Sequence, residues 1–212
     1  MNTNALEVKI NAIQILKNLA RNLGVHIFDQ VEDIAKLCIE KLLTDPFAMT
    51  IRKESAKCMR FCIQACADHP EKQKALFIMT YVRLVEEMEK RKTRSEFDQM
   101  NSILKEIYKM TECFKCFKAK GLMVFNVEDA TNLVNRLVTV INKIKSDKAT
   151  RCEQIKKMAK NVDEEDMEYF KEDLEKVDKG IRHCMEISGF LLQNMGGQIS
   201  GVIATTLLPL YA

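Results

Sequence analysis

Residues 5–24, ALEVKINAIQILKNLARNLG, and residues 28–45, FDQVEDIAKLCIEKLLTD, decide the fold of this chain of 212 residues. In the first stretch the apolar residues recur every three or four positions, which is typical of an α-helix. They form two stripes, Leu6, Ile10, Ile13 and Leu16 on one side and Val8, Ala12, Ile15 and Leu19 on another. Two stripes predict a helix that is buried on two sides. Gly24 then predicts the end of this helix, because glycine adopts the left-handed conformation at low cost.

The second stretch carries a single apolar stripe and one charged face. The stripe consists of Phe28, Val31, Ile34, Ala35, Cys38, Ile39 and Leu42. The other face consists of Asp29, Glu32, Asp33, Lys36, Glu40 and Lys41. The two stretches together therefore predict an antiparallel helix pair over residues 5–43, with one face in water.

Composition extends this prediction to the whole chain. Hydrophobic residues make up 47% and charged residues 30%, as in ordinary globular domains, while glycine (7) and proline (3) are scarce and tryptophan is absent. No segment alternates as a half-buried strand does, so we expect an all-α fold. The net charge of +3 gives no indication of a nucleic-acid or membrane partner. Residues 143–160 are mainly basic and residues 163–178 mainly acidic, and these blocks could pair or could simply be solvated.

The eight cysteines lie at helical spacing and do not suggest a disulfide framework. Cys58, Cys62 and Cys66 are four residues apart, and we expect them to be buried, reduced and unliganded on one apolar stripe. Cys113 and Cys116 form a lone CxxC in a predicted helix, which does not predict a zinc site. We expect no metal and no cofactor. The start of the chain does not read as a signal peptide, and the apolar residues 196–212 are interrupted by polar ones, so the expected location is cytosolic or nuclear.

Three further helix pairs follow along the chain. Asp45-Pro46 predicts the start of the second pair, over 46–92, and Pro70 the start of its second helix. Thr93 and Glu96 form a capping box that opens the third pair, over 93–160, in which Asn126 caps the second helix. Residues 145–161 are either an extension of that helix or a charged insertion. The fourth pair, over 163–212, breaks at Gly196-Gly197 and looks truncated.

The pairs begin near residues 5, 46, 93 and 163, at intervals of 41, 47 and 70 residues. Helix pairs of about 40–47 residues are typical of HEAT and armadillo repeats, which stack into a superhelical solenoid. We therefore predict an α-α superhelix of about four antiparallel pairs in one domain over 1–212. The chain ends on LLPLYA without a polar capping repeat, so we expect it to be part of a longer solenoid.

The run ALEVKINAIQILKNLARNLGVHIFDQVEDIAKLCIEKLL, followed by IRKESAKCMRFCIQAC, resembles helix pairs of the importin-β (karyopherin-β) family. The likeness is greatest to the branch of Ran-binding protein 5, or importin-β3. NVEDATNLVNRLVTVINKI and the acidic block before LLPLY are also similar to it. The resemblance implies an internal fragment of a nuclear transport receptor, which would act in the cytoplasm and the nucleus. Its partners would be cargo proteins with basic localisation signals, the GTPase Ran through the full-length receptor, and nucleoporins as further candidates.

Three classes of function remain open from the sequence. The first is a protein-binding module whose second helices present an inner face, here Asp29, Glu32, Asp33, Lys36 and Glu40, to a basic peptide; the alternative for each residue is a solvated helix face. The second is a HEAT-repeat scaffold or regulatory subunit of a larger complex. An enzyme is not expected, because the chain has no glycine-rich phosphate loop, no HExxH and no nucleophile beside a plausible histidine base.

Overall fold

A computed structural model describes residues 3–42, 49–89, 94–114, 125–158 and 164–211. Almost all of these residues are helical and no strand occurs among them, which confirms the all-α class. The predicted starts of the second, third and fourth pairs, including the Thr93–Glu96 capping box, lie wholly or partly outside the described residues. None of the described helices is long and apolar enough to cross a membrane.

The first helix pair is present, with an irregular second helix. Helix α1 (Thr3–Leu23) ends at Gly24, which has a positive φ of 52° as its position predicted. A 3₁₀ segment (Gly24–Gln30), helix α2 (Val31–Leu37) and a π-helical turn (Cys38–Leu42) follow. The apolar stripe that was predicted for the second helix still faces the core, because Val31, Ala35 and Cys38 are buried.

The remaining helices also follow the predicted order. They are α3 (Met49–Ala65), α4 (Pro70–Glu89), α5 (Arg94–Thr111) with a 3₁₀ turn (Glu112–Phe114), α6 (Val127–Met158) and α7 (Glu164–Met195). A C-terminal segment then comprises a 3₁₀ turn (Gly196–Ile199), two short helices (Ser200–Val202, Leu208–Tyr211) and a π-helical turn between them (Ile203–Leu207).

Three details of these helices agree with the sequence. The predicted cap of α6 is observed, since the Asp129 amide donates to the Asn126 side-chain oxygen at 2.7 Å. Residues 145–158 continue α6, so the extension is correct as far as the helix is described. The charge blocks meet where Lys148 pairs with Asp178 at 2.6 Å.

The helices pack in two layers. In one layer α1 contacts α3, α3 contacts α5, and α5 contacts α7. In the other layer α4 contacts α6, and the C-terminal segment also packs on α6. Such neighbour-to-neighbour packing is what stacked helix pairs require, but the superhelical solenoid itself stays a prediction. A cluster of aromatic rings joins the layers in the middle of the chain: Phe77, Tyr81, Phe114, Phe125 and Phe190.

The second stripe of α1 is not buried, and that prediction is wrong. Val8 is 66% exposed, Ile15 59% and Leu19 45%, while Ile13 on the first stripe is fully buried. The physical reason is that α3 covers only one side of α1, and no other described helix of this chain lies on the opposite side. Periodicity shows that a face is apolar, but it does not supply the neighbour that buries it.

One smaller prediction is also corrected. Cys113 lies in the 3₁₀ turn that follows α5, so it is not in mid-helix, and Cys116 lies outside the described residues. His183 lies in the middle of α7, where its Nδ1 atom is 3.0 Å from the Glu186 carboxylate. Val127 is 44% exposed because it begins α6, whereas Leu133, Val134, Leu137 and Ile141 of the same helix are buried.

Candidate protein-binding surfaces

The five residues predicted to bind a partner all lie on the surface. Asp29 is in the 3₁₀ segment, Glu32, Asp33 and Lys36 are in α2, and Glu40 is in the π-helical turn. Each of them is exposed, opposite the buried stripe of the same helix. We call these five residues the α2 row. Most neighbouring members of the row are three or four residues apart in the sequence, so the row forms one strip along the helix.

Lys72 of α4 belongs to this surface, although the sequence gave no indication of it. Its ammonium group lies 3.2 Å from the Glu32 carboxylate and 4.0 Å from the centre of the Phe28 ring. The same ring stacks on His69, with 4.0 Å between the ring centres. Lys72 therefore ties α4 to α2 and offsets part of the negative charge of the α2 row.

A groove of about 260 Å³ separates α2 from α4 beside this ion pair. Its polar rim is formed by Glu32, Lys36 and Lys72, and its apolar wall by Ala35, Ala75, Leu76 and Met79. Met79 is 40% exposed. The surface next to the α2 row therefore combines charge with a place for an apolar side chain.

A larger groove, of about 440 Å³, lies between α4 and α6, and we call it the α4–α6 groove. It is lined by apolar Ile78, Val82 and Leu133, by polar Asn132, Asn135 and Thr139, and by charged Asp129 and Arg136. The four residues Asn132, Asn135, Arg136 and Thr139 follow the spacing of one helix face. This face of α6 is polar, and its two charged residues have opposite signs, which distinguishes it from the mainly acidic α2 row.

Charged residues are also buried between the helices, in places that the sequence pattern did not identify. Glu54 of α3 bonds to Lys17 of α1 and to Lys57 at 2.5 Å, and Glu106 of α5 lies 3.3 Å from Arg60 of α3. Burial by itself would raise the pKa of Glu54, but the bonds from Lys17 and Lys57 lower it below its ordinary value. The spacing of Glu54 and Lys57 could have indicated their pairing, whereas the contacts across helices depend on packing.

The cysteines of α3 are buried, as their spacing predicted, and they have free thiols. Hydrogen bonds from the Cys38 and Cys62 thiols lower the pKa of Cys58, and the same contacts together with burial raise the pKa of Cys38 and Cys62. The cluster lies in the core between α3 and the π-helical turn. No set of three or more His, Cys, Asp or Glu residues within the described ranges is arranged to hold a metal ion.

No protein-family model and no curated protein matches this chain.

Proposed function

We propose that this chain is a non-catalytic, protein-binding segment of a nuclear transport receptor of the importin-β type. The single observation that carries the proposal is the exposed α2 row, which runs beside the groove between α2 and α4. The resemblance of the sequence and the packing of helix pairs in two layers support it. From the same resemblance we propose that the receptor acts in the cytoplasm and the nucleus. We also propose from it that the full-length receptor binds Ran.

The partner at the α2 row would be a basic segment, such as a localisation signal rich in lysine. The row contains four carboxylates and one lysine, and Lys72 adds a second positive charge beside it. The net charge of this surface is therefore negative. Each exposed ion pair contributes about 0.2–1 kcal/mol, and salt screens it. We therefore expect weak binding that falls steeply as the salt concentration rises. An aliphatic side chain of the peptide would contact Met79 in the adjoining groove.

The test is a titration of the purified chain with a fluorescent lysine-rich peptide at low and high salt. Changing Asp29, Glu32 and Asp33 together to Asn, Gln and Asn should weaken binding at low salt. A matched control removes three carboxylates that are exposed elsewhere, on α7, through Glu168→Gln, Glu172→Gln and Glu175→Gln, and should leave the affinity nearly unchanged. Equal losses in both triple variants would show a general charge effect and contradict a site at the α2 row.

A HEAT-repeat scaffold is the second candidate, favoured by the exposed apolar stripe of α1. Val8, Ile15, Leu19 and Leu23 are each at least 44% exposed, and a permanently bound subunit would cover such a stripe. Binding through this stripe would be largely apolar and would depend little on salt. The salt dependence of partner binding therefore separates the two candidates. Within the full-length protein, sensitivity to Ran-GTP would favour the transport receptor.

A further inference from the structure

We propose that the α4–α6 groove binds an extended peptide segment of a partner protein, whose backbone pairs with the side chains of Asn132 and Asn135. This site goes beyond the proposed function, because it lies on other helices than the α2 row and would recognise a different chemistry. Its ligand is a segment with an aliphatic centre between a basic and an acidic residue. Three properties of the groove lead to this assignment.

The floor of the groove is apolar and firmly held. Ile78 and Val82 of α4 are half-buried, and Leu133 of α6 is buried. The hydroxyl of buried Tyr81 donates to the backbone oxygen of Leu133 at 2.8 Å, which joins the two helices beneath the floor. A ligand that inserts an aliphatic side chain here would bury apolar surface without first having to order the site.

The two asparagines select an extended backbone. Both are exposed, and neither side-chain carboxamide has a hydrogen-bond partner in the part of the chain that the structure describes. A carboxamide offers one acceptor and two donors, which match the N–H and C=O of a peptide unit. Asn132 and Asn135 lie about 4.5 Å apart along the helix axis, between the rises of one and two residues of an extended chain, about 3.3 and about 6.6 Å, so the two carboxamides can reach neighbouring peptide units. A helical ligand would leave these amides unused, because its backbone groups are already bonded to each other.

The charges at the two ends complete the specificity. Lys74 lies 3.1 Å from Glu71 of its own helix and 3.7 Å from Asp129 across the groove. Similarly, Glu86 lies 3.1 Å from Arg83 and 3.9 Å from Arg136.

For both Lys74 and Glu86, the contact across the groove is longer than the contact within α4. Asp129 and Arg136 can therefore turn to a ligand at little cost. They are two helical turns apart, about 10 Å, which an extended chain spans in about three residues.

The probe is a fluorescent peptide that contains Lys-Leu-Leu-Glu between neutral Gly-Ser flanks, titrated against the intact chain by anisotropy. The double variant Asn132→Ala and Asn135→Ala should weaken its binding by about ten-fold or more, because two pairs of hydrogen bonds are lost. The matched control Asn11→Ala and Asn18→Ala removes two exposed asparagines from α1 and should leave the affinity unchanged.

A charge exchange tests the orientation of the ligand. Arg136→Glu should weaken the Lys-Leu-Leu-Glu peptide and strengthen binding of a Lys-Leu-Leu-Lys peptide, which a merely structural effect on the fold would not do. The triple variant of the α2 row serves as a second control and should bind Lys-Leu-Leu-Glu as the wild type does. Failure at this groove and failure of the proposed function can thus be told apart.

Three outcomes would overturn the inference. The first is no binding of the wild-type chain up to about 1 mM peptide, which corresponds to less than about 4 kcal/mol. The second is unchanged affinity in the asparagine double variant. The third is dimerisation in sedimentation experiments that this double variant abolishes, because the occupant of the groove would then be a second copy of the chain.

Discussion

At the scale of single residues, Glu54 shows how a charge is kept in the interior. Its side chain is only 10% exposed, and it bonds to Lys17 from the neighbouring helix and to Lys57 from its own. A buried carboxylate without such partners would be costly, and the two lysines outweigh this cost. Because the pKa of Glu54 is lowered in the folded chain, the carboxylate stabilises the fold wherever it is ionised.

We therefore expect Glu54→Gln to lower the free energy of unfolding by about 1.5–3 kcal/mol at neutral pH. The unfolded chain takes up a proton near the ordinary pKa of 4.5, before the folded chain does. The contribution of Glu54 is thus present above that pH and is lost as the pH falls through the folded pKa. Urea unfolding of both proteins between neutral and acid pH should show the difference shrinking in acid. Glu7→Gln, at an exposed site, is the control, and a difference independent of pH would contradict this role of Glu54.

At the scale of one element, α6 contacts both layers of the fold. It begins at the Asn126 cap, packs against α4, α7 and the C-terminal segment, and buries its apolar stripe among them. Its opposite face lines the α4–α6 groove. A loss of packing in this helix should therefore affect the stability of the fold and the shape of the groove together.

Leu137→Ala tests the importance of this stripe. Leu137 is fully buried, so the shorter side chain should leave a cavity and lower the free energy of unfolding by about 2–5 kcal/mol. Thermal unfolding followed by circular dichroism should show a drop of about 2–4 °C per kcal/mol. Val127→Ala on the same helix removes a side chain that is 44% exposed and should change stability by less than about 0.5 kcal/mol. An unchanged midpoint in Leu137→Ala would mean that the α6 stripe does not carry the core.

At the scale of the whole molecule, one core connects all the helix pairs. The buried apolar residues form a single cluster that extends from Ile13 in α1 to Leu207 in the C-terminal segment. Helices α5 and α7 approach closely at Gly180. A side chain at this position would collide with Asn101, so glycine permits this part of the packing. A chain that shares one core should unfold cooperatively, although each helix contacts mainly its neighbours.

We expect a single thermal transition, and we expect distant core substitutions to shift it as a whole. Ile13→Ala in α1 and Leu137→Ala in α6 should each lower the same midpoint without splitting the curve. Circular dichroism and tyrosine fluorescence should report the same transition, since Tyr81 lies in the centre of the core. Two separate transitions, one sensitive to Ile13 and one to Leu137, would show that the helix pairs unfold independently.

The sequence by itself determined the features that depend on neighbouring residues along the chain. Helical periodicity identified the all-α class, the buried stripe of the second helix in the first pair and the surface position of the α2 row. Gly24, Pro70 and Asn126 marked helix ends, because turn geometry and capping act within a few residues. The burial of Cys58, Cys62 and Cys66 also followed from spacing alone.

Only the tertiary structure decided which of these faces found a partner. It left the second stripe of α1 exposed, brought Lys17 to Glu54 and Lys72 to Glu32, and formed the groove in which Asn132 and Asn135 face Ile78 and Val82. The contacts Lys17–Glu54 and Lys72–Glu32 join residues about 40 positions apart. The physical reason is that periodicity records the polarity of a helix face, whereas burial, ion pairing and grooves depend on which helix lies opposite it.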